Sequence, residues 1–153
     1  MSEDDLRELK DRSEIERLLY LYAEMVDTKT WPLMDRIFVL EARIDYRSSG
    51  GIAGPFREAL AWLARALEAW PTNLHHVSNP MIDFESGSEA RSRCYFQSQM
   101  ARPGPDGSPL VIASAGTYTD RLSRTTSGWR IVERHVDQAL MQGELPEGYT
   151  IPI

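Results

Sequence analysis

The chain is poor in the residues that most often announce a reaction. Its 153 residues include one cysteine, Cys94, and three histidines, His75, His76 and His135. A single cysteine excludes an intrachain disulfide and any site built from several thiolates. No HxH or HExxH spacing occurs, and the adjacent His75 and His76 would point to opposite faces of a strand. No metal is therefore expected. GxSxG, GxGxxG and Walker sequences are also missing, which removes the nucleophile elbow and the usual nucleotide cradles. No Lys/Arg run occurs, and 17 basic against 23 acidic residues leave a net charge of −6. That balance argues against nucleic acid or an anionic membrane surface as the partner.

Long apolar runs are missing too. The richest stretch, from Phe56 to Trp70, is interrupted by Arg57, Glu58, Arg65 and Glu68, so nothing reaches the roughly 18 apolar residues of a membrane span. The opening MSEDDLRELK is charged where a signal peptide is apolar. The expectation is a soluble cytoplasmic protein. With 42% hydrophobic and 26% charged residues, the chain has the composition of one globular domain. At this length roughly 70% of the unfolded surface is buried on folding, enough for a core that also holds a pocket.

Residues 4 to 27 read as a helix. Ile15, Leu18, Leu19, Tyr22, Met25 and Val26 recur at 3- and 4-residue spacing, and Ser13 with Glu16 forms a capping-box pattern inside it. Thr30-Trp31-Pro32 looks like the start of a second, short helix running to about Phe38. Glu41 to Arg47 alternates as a half-buried strand, with Ala42, Ile44 and Tyr46 on one side. Pro55 to Trp70 carries an amphipathic stripe of Phe56, Leu60, Leu63, Ala66, Leu67 and Trp70. Four strands follow, over 74–84, 89–101, 110–122 and 129–141, separated by turn-rich segments.

Helices first and a long antiparallel meander after them is the α+β pattern. The expected architecture is a cone-shaped α+β barrel, with the N-terminal helices packed in the concave face of a curved, mostly antiparallel sheet. Residues 1–141 form the single domain. Residues 142–153 are an apolar tail (Leu145, Tyr149, Ile151, Ile153) that docks on the domain or on a neighbouring subunit. The apolar interior of such a cone is a natural small-molecule site.

Few residues can supply chemistry there. His135, flanked at its own parity by Glu133 and Asp137, reads as lying on a solvated face. Arg134 lies on the opposite, apolar stripe, where it needs either a structural carboxylate or a ligand. Strand alternation does not choose between His75 and His76. Asp27 closes the first helix, where a carboxylate opposes the macrodipole. It either caps the turn into Trp31-Pro32 or serves a site. Acid–base chemistry by His, Asp and Tyr remains, because a neutral His oriented by a carboxylate is a competent base near pH 7.

Five segments resemble the SnoaL-like branch of the nuclear transport factor 2-like superfamily in order and spacing. They are Tyr22-Ala-Glu-Met-Val-Asp27, Ala42-Arg-Ile-Asp-Tyr46, His75-His-Val-Ser-Asn79, Gly116-Thr-Tyr-Thr-Asp120 and Gly128-Trp-Arg-Ile131. The resemblance covers residues 10 to 141. Lyases of that superfamily, such as scytalone dehydratase, bile acid 7α-dehydratase and hexachlorocyclohexane dehydrochlorinase, use a histidine base beside an aspartate that ends the first helix. The resemblance implies His75 as base, Asp27 as its orienter, and Tyr46 and Tyr22 as hydrogen-bond donors. Arg134, Phe96, Met100, Tyr118 and Trp70 are expected to bind substrate. No second histidine stands on the next strand, where scytalone dehydratase has one.

The expected function is a cofactor-independent lyase of the dehydratase type acting on a small, cyclic, largely apolar hydroxy-ketone. An isomerase or polyketide-type cyclase would need the same site, and a non-catalytic small-molecule-binding domain would need only the cavity. The tail's apolar residues and the resemblance together suggest a homo-oligomer, a trimer ahead of a dimer.

Overall fold

The computed structural model describes residues 1–152; Ile153, one of the tail's apolar residues, lies outside the described residues. Helix α1 (Glu3–Asp27) runs unbroken. Its cap is Ser2, whose hydroxyl accepts from the Asp5 N–H while the Asp5 carboxylate accepts from the Ser2 N–H. The Ser13 pattern is not used, because the helix is already propagating there and its N–H groups have partners one turn back. The segment Trp31–Arg36 is a 3-10 helix, shorter than the α-helix expected there. Helix α2 (Phe56–Ala66) stops before Trp70, which is buried in the turn that follows.

Six strands form one sheet: β1 (Phe38–Asp45), β2 (Ala53–Pro55), β3 (Thr72–Phe84), β4 (Glu89–Pro103), β5 (Pro109–Thr125) and β6 (Gly128–Gln142). Their order is β2-β1-β6-β5-β4-β3, with β1 parallel to β6 and every other pair antiparallel. The expectation of a barrel needs adjustment: the edges β2 and β3 do not meet, so the cone is open on one side. Strand β2 was not expected. Three residues containing Gly54 and Pro55 carry no period to read, and only pairing with β1 makes them a strand.

Bulges curve the sheet around the helices. One lies in β3 between Ser78 and Met81, where Asn79 takes a left-handed φ of 53°. It reverses the strand's phase: Asn73, His75 and Val77 face in before it, Ile82 and Phe84 after it. Another lies at Ala115/Gly116 in β5, where a β-carbon on Gly116 would collide with the Asp137 carbonyl.

Helix α1 crosses the concave face and is held at both ends. Near its start, Arg124 pairs with Asp11, and the Glu14 carboxylate accepts the Trp129 N–H. At its end, Asp27 accepts the His75 N–H at 2.8 Å. Just beyond, Lys29 adopts φ 56° and its Nζ donates to the carbonyls of Leu67 and Trp70, closing the chain after α2 against α1. Among the described residues, no helix is long and apolar enough to cross a membrane.

The tail folds back onto its own domain, against α2 and the turn that follows it. Pro152 O accepts from Trp62 Nε1 at 2.5 Å, and the Tyr149 hydroxyl donates to the Ala66 carbonyl at 3.2 Å and accepts from Trp70 Nε1 at 3.3 Å. Leu145, Tyr149 and Ile151 thus find apolar surface within the chain, so the tail supplies no reason for a neighbouring subunit.

Candidate active site

Between α1, α2, the sheet and the tail lies a cavity of about 130 Å³. An engineered apolar cavity of about 150 Å³ takes up benzene, so this one is on the scale of a single six-membered ring. Tyr22, Tyr46, Trp62, Trp70, Phe96 and Tyr118 supply most of its aromatic wall. Phe96 and Tyr118 stack at 4.5 Å, and Tyr22 meets Tyr118 edge-on at 5.6 Å.

His75 lines this cavity and is braced from behind by Asp27. The carboxylate spans the residue: Oδ2 takes the backbone N–H at 2.8 Å, and Oδ1 lies 2.6 Å from ring Nδ1. A carboxylate only accepts, so the Nδ1 proton stays on the Asp27 side and Nε2 is left with its lone pair. Both side chains are mostly buried, at 12% and 18% exposure, which keeps the pair from being diluted by water. Asp27 does not cap the next helix; Thr30 stands at that position and makes no side-chain cap. The misfit of an acid at a helix C-terminus is explained by its partner on β3. His76 faces outward, as strand alternation requires.

The hydroxyls of Tyr22 and Tyr46 lie 2.6 Å apart at the cavity wall. One donates to the other, leaving a single phenolic proton for a ligand. Burial raises Tyr22, Tyr46 and Tyr118 above the ordinary phenol value, and for Tyr46 the neighbouring Tyr22 adds to the effect. These phenols stay neutral donors through the physiological range. The unfolded phenols ionise near pH 10 while the folded ones resist, so stability held below pH 10 drains away above it. We expect phenolate absorbance from these three residues to appear only together with loss of the folded circular dichroism signal. Their ionisation in the intact fold below pH 10 would contradict this.

Met100 and Trp70 line the cavity, but Arg134 does not. It is fully buried behind the wall in a bidentate pair with Asp120, its Nε and Nη2 each 2.7 Å from a carboxylate oxygen. The two residues are directly opposed on β5 and β6. The guanidinium lies 4.2 Å from the Tyr22 ring centre and 4.4 Å from that of Tyr118, and Nη1, without a hydrogen-bond partner, is left to these aromatic neighbours. Arg134 therefore buttresses two wall tyrosines instead of meeting a ligand. His135 is on the outer face, 3.4 Å from Asp45. Cys94 is buried outside the cavity lining, its thiol pushed up to about 11 by burial. Among the described residues, no three His, Cys, Asp or Glu side chains gather as a metal would require.

Sequence reasoning passed over Trp62, Ser98, Ser114 and Gln138, all of which line the cavity. Ser98 had a readable signal: it shares the inward strand parity of Cys94, Phe96 and Met100, where a hydroxyl interrupts an otherwise largely apolar stripe, as Ser92 does farther along. Trp62 lies beside the expected stripe of α2; it is buried because its ring packs on Tyr46 and Gly51 and its indole N–H donates to the Pro152 carbonyl of the tail.

A curved, open sheet wrapped around helices, with an oriented histidine at the wall of a ring-sized aromatic cavity, defines a small-molecule site in a cone fold. Residues 7–135 match the SnoaL-like domain family, and the chain belongs to it. The uncharacterised protein Rv2910c of Mycobacterium tuberculosis is 34% identical over 127 residues, 83% of this chain and 84% of that protein. Two solved structures share the fold at 17% identity. Hexachlorocyclohexane dehydrochlorinase LinA-type3 from Novosphingobium barchaimii LL02 has a TM-score of 0.75, covering 97% of this chain and 99% of its own. A nuclear transport factor 2-like superfamily protein from Salmonella enterica serovar Typhimurium has a TM-score of 0.70, covering 92% and 98%.

Proposed function

We propose that the protein is a cofactor-independent lyase that dehydrates a cyclic, largely apolar β-hydroxy ketone. The observation that carries this reading is Asp27 holding both the backbone and the ring of His75, so that Nε2 is presented as a base at the cavity wall. His75 Nε2 takes a proton from the carbon next to the carbonyl. The electron pair moves onto the carbonyl oxygen, and the free phenolic proton of the Tyr22–Tyr46 pair stabilises that enolate. The enolate collapses, the carbon–oxygen bond to the β-hydroxyl breaks, and the imidazolium returns its proton to the leaving hydroxide. The products are an enone and water. Asp27 stabilises the transient imidazolium and keeps the reactive tautomer in place.

The test is incubation with a panel of single-ring β-hydroxy ketones, following loss of one water by mass. His75→Ala should abolish turnover while circular dichroism stays that of the parent, since the β3–β4 backbone pairing does not depend on the ring. An unchanged rate in that variant overturns the reading. An isobaric product from the parent enzyme would instead mark an isomerase working with the same base and the same tyrosine pair.

A further inference from the structure

The strand register aligns three polar residues that no sequence motif connects. His75 on β3 lies opposite Ser98 on β4, and Ser98 lies opposite Ser114 on β5. All three line the cavity, with Asp27 closing the row behind His75. Neighbouring strands are about 4.8 Å apart, so the Ser98 hydroxyl is the polar group next to the base along the cavity floor.

The two serine hydroxyls bond each other at 2.8 Å. Each carries one proton and two lone pairs, and their mutual bond consumes one proton. The second proton has no partner among the described residues, although Ser98 is 7% exposed. Phe96, Met100, Ile112 and Trp70 share the lining with the serines and offer this proton little; Gln138 lines the cavity too, but among the described residues it makes no hydrogen bond to either serine. A hydroxyl facing an apolar space without a partner is costly unless a ligand or water completes it.

We propose that the Ser98–Ser114 pair is a binding subsite for a second oxygen of the substrate, lying beside His75 on the sheet floor. This deepens the dehydratase reading and rests on it for the identity of the cavity as the site. A hydroxy-ketone has two oxygens to place. The tyrosine pair, reaching in from α1 and from the residue just after β1, takes one of them. The serine pair takes the other, on the side of the base, and thereby sets which ring carbon faces Nε2. The substrate class is thus narrowed to a neutral single ring with two oxygen functions. A ring with one oxygen leaves one hydroxyl pair unsatisfied, and among the described residues no Lys or Arg lines the cavity to meet a carboxylate.

Resorcinol and toluene serve as unreactive probes of the same ring size, with binding followed by quenching of the cavity tryptophans and by calorimetry. The parent protein should bind resorcinol more tightly than toluene. In Ser98→Ala/Ser114→Ala the resorcinol affinity should fall about fivefold, the usual worth of one hydrogen bond, while the toluene affinity is unchanged. Ser114→Ala alone should show a loss in the same direction and guards against a folding failure of the pair. The proposal is overturned if resorcinol affinity is insensitive to both substitutions, if toluene affinity falls equally, or if the parent binds neither probe. Because these readouts need no turnover, a protein that holds resorcinol through the serines yet dehydrates nothing would remove the lyase reading alone.

Discussion

Asp27→Asn should lower kcat by about 10³- to 10⁴-fold, with a melting temperature close to that of the parent. The size of the effect comes from the way Asp27 divides its two oxygens. Oδ2 accepts the His75 backbone N–H, and Oδ1 faces Nδ1. Asparagine has one oxygen. The backbone N–H is an obligatory donor, so the amide oxygen must go to it and the NH₂ must face the ring. Nδ1 then becomes the acceptor, the ring proton moves to Nε2, and the base is lost although nothing has changed shape. Nitrogen NMR of the His75 ring should report the Nε2-protonated tautomer in the variant and the Nδ1-protonated one in the parent. A variant that keeps its rate within tenfold would show that the tautomer does not matter and would remove the general-base mechanism.

The second large effect concerns stability. Asp120→Ala should destabilise the protein by about 3–5 kcal/mol, because it leaves the Arg134 charge buried without its carboxylate. For a chain of this size that is a fall of roughly 10 °C in melting temperature. Both side chains of the pair are completely buried, unlike exposed pairs such as Arg57–Asp35, whose loss should cost less than about 1 kcal/mol. The compensated variant Asp120→Leu/Arg134→Met should regain most of the loss, since what is costly is an unpaired charge and not an absent pair. It should still turn over more slowly than the parent, because Tyr22 and Tyr118 lose the guanidinium packed between them. Thermal melts and urea titrations of the two variants provide the check. Melting of Asp120→Ala within 2 °C of the parent would contradict the argument.

How much of this was legible in the chain depends on the range over which each feature acts. The α1 stripe from Ile15 to Val26, the inward set Ala42, Ile44 and Tyr46, and the four long strands are written in local periodicity, and the elements formed nearly where it places them. The misplaced Ser13 cap, the overlong α2 and the unseen β2 are terminus and pairing effects, where short-range signals compete and a neighbour decides. The oddity of Asp27 was visible as a charge in the wrong place, but its meaning needed His75, 48 residues away in sequence.

By itself the sequence determined the α+β order, the exclusion of thiolate clusters and nucleotide motifs, and the short roster of groups able to move a proton. Tertiary structure decided which of them meet. Strand register put Asp120 across from Arg134 and turned an expected ligand contact into a buried brace. The bulge at Asn79 lets both parities of β3 face inward in turn, which is why alternation could not separate His75 from His76. Register likewise lined up Ser98 and Ser114 beside the base, and the tail found its apolar partners at home. The physical reason is common to these cases. Periodicity is a property of a segment, whereas register, bulges and chain closure are set by contacts between segments that share no local pattern.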